Sequence, residues 1–346
     1  MPDDSSPIFI LGTGRSGTSL LRAILNAHPR VYLTFEASFF SFTPQVYQAA
    51  YQHGQDWFRR YQRSLAFAWL RLEPRSIEGQ LAALRYRPSV ADAMQTILKT
   101  KARQYERTHI GDKTPTSILY LSKLWDSFPA AKVIHVVRDP RAVITSLMQM
   151  PWAPPGTLLN ALFVRHMLSK VPQAHSQLLE VKLESLLANP EGILRRILAF
   201  LDLSWDERVL EHHNHSPVDS PPFLWLQSAH QPLQLRQPPS LSWQTELTTS
   251  EIAIIEGLLA PFIRRYGYRA SGVHSQVKKL DVLRQVMADS RLLPYTLLHG
   301  HRMLHCLRQT SPPDVSALLK FFMTMNPRVS FDKNDLERFL KWLGDD

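Results

Sequence analysis

The chain has 346 residues, 44% of them hydrophobic, enough for one large α/β core with an appendage, which excludes global disorder. Forty Lys and Arg against 30 Asp and Glu leave a net charge of +10. That balance suits polyanionic partners, but no dense basic tract with interleaved aromatics points to nucleic acid. The single cysteine, Cys306, excludes an internal disulfide and fits a reducing, cytoplasmic compartment. No apolar run approaches the roughly 20 residues of a membrane span, and the acidic first residues lack the basic and apolar regions of a signal peptide.

The first predicted element is a short buried strand, Ile8 to Leu11, followed by the turn Gly12-Thr-Gly-Arg15-Ser-Gly17 and a helix over 18–26 with Leu20, Leu21, Ile24 and Leu25 on one face. Strand, glycine turn and helix N-terminus make an anion cradle, because the first-turn N–H groups lack helical partners and the dipole is positive there. Gly12 and Gly17 have the phosphate-loop spacing, but Thr18 stands where a nucleotide triphosphatase has Lys. The positive charge is carried by Arg15 inside the loop instead. A second strand over 31–35 delivers Glu36 at its C-terminal end, where open α/β sheets bind ligands.

Residues 45–107 read as a helical insertion with aromatic stripes, and Ser89 reads as an N-cap within it. A loop is expected to begin at Gly111 and to hold Lys113 just before a helix capped by Thr114 with Pro115 at its first position. Residues 132–137 are the clearest buried strand, with His135 as a core histidine. Arg138 follows at the junction, Asp139 and Pro140 start a helix, and Ser146 lies about two turns in. This is a second anion cradle. Further expectations are a strand over 178–183, a helix from Asn189-Pro190 to about residue 201, an irregular proline-rich segment over 216–239, and a helix ending near Tyr266-Gly267 and capped by Thr249 or Ser250. Short amphipathic helices are expected over 280–293, 297–307, 315–325 and 335–343. The histidines at 212, 213 and 215, and the His301/His305 pair, lack the carboxylate or thiolate company of a metal site, so no metal is expected.

Two anion cradles in one sheet suggest a ligand with phosphates at both ends. The residues Gly14-Arg-Ser-Gly-Thr-Ser19, Phe35-Glu36, Asp112-Lys-Thr-Pro115, Val137-Arg-Asp-Pro-Arg141 with Ser146, and Asn189-Pro-Glu191 stand in one order over about residues 7–268. In this the chain resembles the PAPS-dependent sulfotransferases, most closely their bacterial-type and tyrosylprotein-sulfotransferase-like branch. The resemblance implies an α/β, P-loop-like three-layer parallel sheet over 1–270, with a helical insertion and a C-terminal helical extension over 271–346. It implies PAPS (3′-phosphoadenosine 5′-phosphosulfate) as sulfuryl donor. Gly14, Arg15, Ser16, Gly17, Thr18 and Ser19 would hold the 5′-phosphosulfate, and Arg138 and Ser146 the 3′-phosphate. Glu36 would be the general base, with Lys113 and Arg15 stabilising transferred or departing charge. The chain departs from the family at Leu183, where a tyrosine is usual, and around Trp243. A small-molecule, lipid-like or glycan acceptor is expected. A non-catalytic PAPS-binding module and a P-loop kinase or NTPase are the alternative readings.

Overall fold

The computed structural model describes residues 6–41, 53–217, 219–223, 226, 228–233, 242–273 and 277–291, and single positions at 294, 326, 334, 337, 338 and 341. Five strands form one parallel sheet: β1 (Ile8–Gly12), β2 (Val31–Phe35), β3 (His109–Lys113), β4 (Lys132–Val137) and β5 (Leu178–Lys182). Their order is β2-β3-β1-β4-β5. β1 is therefore central, with Ile8 opposite both Gly111 and Lys132. Parallel strands need crossover connections, and here helices supply them. The order reverses beside β1, so ligand-binding loops are expected at the C-terminal ends of β1 and β4.

Alternation along β1 sorts the core into layers. Phe9 and Leu11 face one side, against α2 (Gly54–Tyr61), α3 (Leu65–Leu70), α4 (Pro74–Ala82), α5 (Val90–Arg103) and α6 (Leu121–Ser127). Ile8 and Ile10 face the other, against α1 (Thr18–Ala27) and, beyond the α7 (Pro140–Met148) and α8 (Thr157–Leu168) hairpin, α9 (Leu183–Ala188) and α10 (Pro190–Phe200). A third cluster joins α7 and α8 to α12 (Trp243–Glu246) and α13 (Thr249–Arg265), the short α11 (His212–His215) lying before them. The last described helix is α14 (Lys279–Ser290). The chain is thus an α/β, P-loop-like three-layer parallel sheet.

Several local expectations shift. The insertion is four helices over 54–103, with Ser89 capping α5 through a capping box closed by Asp92. Gly111 lies within β3, where the Ile8 carbonyl of β1 leaves no space for a side chain. Thr114 stands at the N-cap and Pro115 at the first position as expected, but of a 3₁₀ turn over Pro115–Tyr120 and without a side-chain capping bond, because the Thr114 hydroxyl donates to Asp112 Oδ2 at 2.7 Å and accepts from the Ser38 N–H at 3.0 Å. Thr248, one residue earlier than expected, caps α13, since Glu251 closes the capping box from there. The helices expected over 297–307 and 315–325, most of that over 335–343, His301, His305 and Cys306 lie outside the described residues, as does part of 216–239.

Candidate active site

The β1–α1 loop is built by two left-handed residues. Arg15 has φ 66° and Gly17 has φ 101°. Ser16 is buried and its hydroxyl donates to the Thr13 carbonyl at 2.7 Å, which closes the turn. Gly17 is the N-cap of α1 and offers no capping side chain, so the first-turn N–H groups of a ten-residue helix face the loop. Leu183, at the start of α9, packs on this turn. A methyl group on Gly17 would stand 2.7 Å from its Cδ1.

Arg15, Arg138 and Ser146 converge beside the loop. Arg15 Nε donates to Ser146 Oγ at 3.1 Å, and Arg138 Nη1 donates to the Arg15 carbonyl at 3.0 Å. Burial, then the nearby Arg138 charge, brings the Arg15 guanidinium down to about 10, and burial also lowers Arg138. Arg138 Nε is buried with no hydrogen-bond partner among the described residues. Two desolvated cations and an orphaned donor beside a helix N-terminus form a site built for an anion. Asp139 caps α7 and holds Arg141 through both carboxylate oxygens, at 3.0 and 2.7 Å. Arg141 also donates to Glu256 at 2.5 Å and lies 4.0 Å from the Trp243 ring centroid. Trp243 thus braces α7 through Arg141.

On the other side of β1, Lys113 and Glu36 form an ion pair at 2.7 Å. The Lys113 side chain is 0% exposed and that of Glu36 is 30% exposed, so the carboxylate is the accessible partner. The Lys113 ammonium also sits 3.9 Å from the Phe35 ring centroid, and Phe35 packs against Trp69. Burial lowers the Lys113 pKa and the Glu36 charge opposes that. Glu36 and Ser38 both have positive φ, at 46° and 51°, a conformation that costs about 1–3 kcal/mol for a non-glycine residue. Asp112 supports it. Its buried carboxylate accepts from Thr34 Oγ1 at 2.7 Å, Ala37 N at 3.0 Å and Thr114 Oγ1. Burial raises its pKa, against these hydrogen bonds.

The structure therefore brings Arg15, Arg138 and Ser146 into one cluster, Glu36 and Lys113 into a second, and Gly14, Ser16 and Gly17 into the loop at the end of β1, with Thr18 and Ser19 in the first turn of α1. Arg15 points to Ser146, the residue assigned to the 3′-phosphate. Sequence reasoning missed Asp112 as a hub, and also Glu184. The latter accepts from the Asp139 N–H at 2.9 Å and from the Tyr268 hydroxyl at 2.9 Å, bracing the junction that carries Arg138. His135 is the expected core histidine, buried with Nδ1 3.1 Å from Glu180.

A model described as "Sulfotransferase family" matches residues 7–207. The chain belongs to the sulfotransferase family. Among relatives, it is 28% identical to protein-tyrosine sulfotransferase A of Caenorhabditis elegans, over 75% of this chain and 67% of that protein. It is 30% identical to the protein-tyrosine sulfotransferase of Drosophila melanogaster, over 59% of this chain and 40% of that protein. An uncharacterized Aquifex aeolicus protein is 29% identical over 60% of this chain, which spans 27% of its length. Among solved structures, the sulfotransferase domain of the Synechococcus PCC 7002 olefin synthase is 22% identical, with TM-score 0.49 over 78% of this chain and 98% of that one. None of the described helices is long and apolar enough to cross a membrane.

Proposed function

We propose that this sulfotransferase-family chain moves a sulfuryl group from PAPS to a hydroxyl, or to an amine, leaving adenosine 3′,5′-bisphosphate. The observation that carries the reading is the buried Arg15–Arg138–Ser146 cluster with its orphaned Arg138 Nε, across β1 from the Lys113–Glu36 pair. The first cluster and the α1 N-terminus fit the phosphates of such a donor. When bound, the donor supplies an activated sulfuryl group on a phosphate leaving group.

The chain's residues have separable tasks. Glu36 is partly exposed beside a buried ammonium, so it accepts the acceptor's proton as the hydroxyl attacks. Lys113 is held in a dry, aromatic-lined position, where its charge acts strongly on developing negative charge. Gly17, Thr18 and Ser19 orient the leaving phosphate by backbone N–H groups and hydroxyls. Arg138 and Ser146 set the register of the donor, which fixes the line of transfer. The Phe35–Trp69 wall suits a flat or lipid-like acceptor face next to Glu36. The names of the relatives add a protein tyrosine to the small-molecule, lipid-like and glycan hydroxyls that merit a screen. A cytoplasmic location rests on the lone Cys306, and cell fractionation checks it.

The deciding experiment is calorimetric titration with adenosine 3′,5′-bisphosphate, ADP and ATP. Preference for the 3′-phosphorylated nucleotide is expected. Arg138→Ala should weaken it by about ten- to a hundredfold, as for a lost hydrogen bond to a charged group. Magnesium-dependent ATP binding with no 3′-phosphate preference would instead establish the kinase reading. Retained bisphosphate binding without transfer to any acceptor would establish a binding module.

A further inference from the structure

Residues 271–346 lie beyond the family match, which ends at 207, and no step above uses them. Two buried polar side chains from this region nevertheless end on one short segment of the body. That segment, 149–156, connects α7 to α8. It begins where α7 ends, and the last carbonyls of a helix lack helical donors. Asn326 supplies them: its Nδ2 donates to the Met148 carbonyl at 3.1 Å and the Met150 carbonyl at 3.2 Å, and its backbone N–H donates to Pro151 at 2.8 Å. At the other end, α8 has Gly156 as N-cap and no capping side chain of its own. Asp289 of α14, fully buried, takes that place and accepts from the Leu158 N–H at 2.8 Å. Gly156 admits the carboxylate: its φ is 86°, and a methyl group there would stand 2.6 Å from Asp289 Oδ1.

An amide donor thus meets the carbonyl end of one helix and a carboxylate meets the N–H end of the next, the matched polarity at both ends. Between the two pins lies Trp152. Its Cη2 is 3.2 Å from the place a Gly14 methyl would occupy, so the ring backs the phosphate loop directly. The helix at whose end the segment begins carries Ser146, the partner of Arg15.

We propose that Asp289 and Asn326 form an intramolecular clamp on the anion site. Asp289 and Asn326 act as positioning residues that hold 149–156, so that Trp152 supports the phosphate loop at Gly14 and α7 keeps Ser146 against Arg15. That the clamped site is a PAPS site rests on the proposed function; the clamp itself does not.

Hydrogen–deuterium exchange on the full chain tests it, with Asp289→Ala, Asn326→Asp and Trp152→Ala beside wild type. Asn326→Asp sets a carboxylate against carbonyl oxygens. Asp289→Asn keeps an acceptor oxygen and should restore most of the protection. Trp152→Ala leaves both pins in place. Each of the first three should speed exchange at 12–19 while the β4 amides keep wild-type protection. In Asp289→Ala, affinity for adenosine 3′,5′-bisphosphate should fall roughly fivefold, the worth of one lost cap, with KM for the donor rising and kcat little changed. Wild-type exchange at 12–19 in all three variants overturns the proposal, and so does a uniform rise that includes β4, which marks general destabilisation. If wild type binds no bisphosphate, the donor reading fails while the exchange result still decides the clamp.

Discussion

Glu36 and Lys113 are 77 positions apart and meet at 2.7 Å because β2 and β3 run in parallel register, Phe35 opposite Lys113. In the proposed reaction Glu36 is the base and Lys113 the buried cation. Glu36→Gln keeps the shape and removes the basicity, so kcat should fall by about 10²–10⁴ while calorimetry shows bisphosphate affinity unchanged. A second prediction concerns pH. Burial lowers Lys113 from the 10.5 of a free lysine, with Glu36 opposing. Lys113 therefore loses its charge sooner as pH rises, and the rate should fall on the alkaline side with an apparent pKa under that value. The stability sign is opposite. Between the folded and unfolded pKa values the unfolded chain binds more protons, so this group's contribution to stability rises with pH through that window. Lys113→Arg should carry the alkaline limb of the pH–rate profile upward; a limb that stays put assigns it to another group. Glu36 was legible in the sequence as a strand-end charge, and Lys113 as a loop charge just before a helix start. Their pairing was not, because it depends on which strands are neighbours. Asp112 was overlooked for a similar reason: its partners Thr34, Ala37 and Thr114 come together only when β2 and β3 pair.

The β1–α1 turn shows what one element asks of another. Its glycine spacing, its arginine and its helix were readable in order along the chain. What the turn rests on was not, because Leu183 comes from α9, 166 positions later, and looked like a missing tyrosine rather than a packing contact. Two costs are superposed at Gly17: a left-handed φ and the contact with Leu183. Gly17→Ala should destabilise by more than about 1 kcal/mol, read from urea denaturation. Combining it with Leu183→Ala should relieve the contact and leave the backbone cost, so the double-mutant cycle should show coupling. Strict additivity would mean that Leu183 does not bear on the turn. The caps tell the same story at smaller scale. Ser89 was found because its capping box is local, whereas Thr114 looked like a cap until the Asp112 carboxylate claimed its hydroxyl.

At the scale of the molecule, the family match stops short of the folded unit. Arg141 lies inside the match, but its partners Glu256 and Trp243 come from α13 and α12. Val143 and Ile144 of α7 share a core with Ile255, Leu259 and Ile263. A fragment ending at 207 would expose that apolar face and leave Arg141 half-paired. It should not give a cooperative thermal transition, whereas the full chain should. Arg141→Met in the full chain strands the Asp139 and Glu256 carboxylates in the interior, and a cost of about 3–5 kcal/mol is expected from denaturant titration. The sheet class was legible here from its strand–helix repeats, and so was the short-range order of elements. The strand order was not, nor was the packing of α13 and α14 on α7 and α8, since neither leaves a periodic signal in the chain.

The central place of β1 also governs when the anion site can exist. During synthesis Ile8 leaves the ribosome long before its partners Gly111 and Lys132, which lie 103 and 124 positions later. At translation rates of roughly 5–20 residues per second, an apolar strand and an unbraced glycine turn wait about 5–25 seconds for their neighbours. Such long-range parallel pairing folds slowly and leaves aggregation-prone edges exposed meanwhile. The phosphate loop is thus translated well before the strands that flank it and is assembled late. A nucleotide that binds only the finished site should slow unfolding and leave the refolding rate of a denatured chain almost untouched.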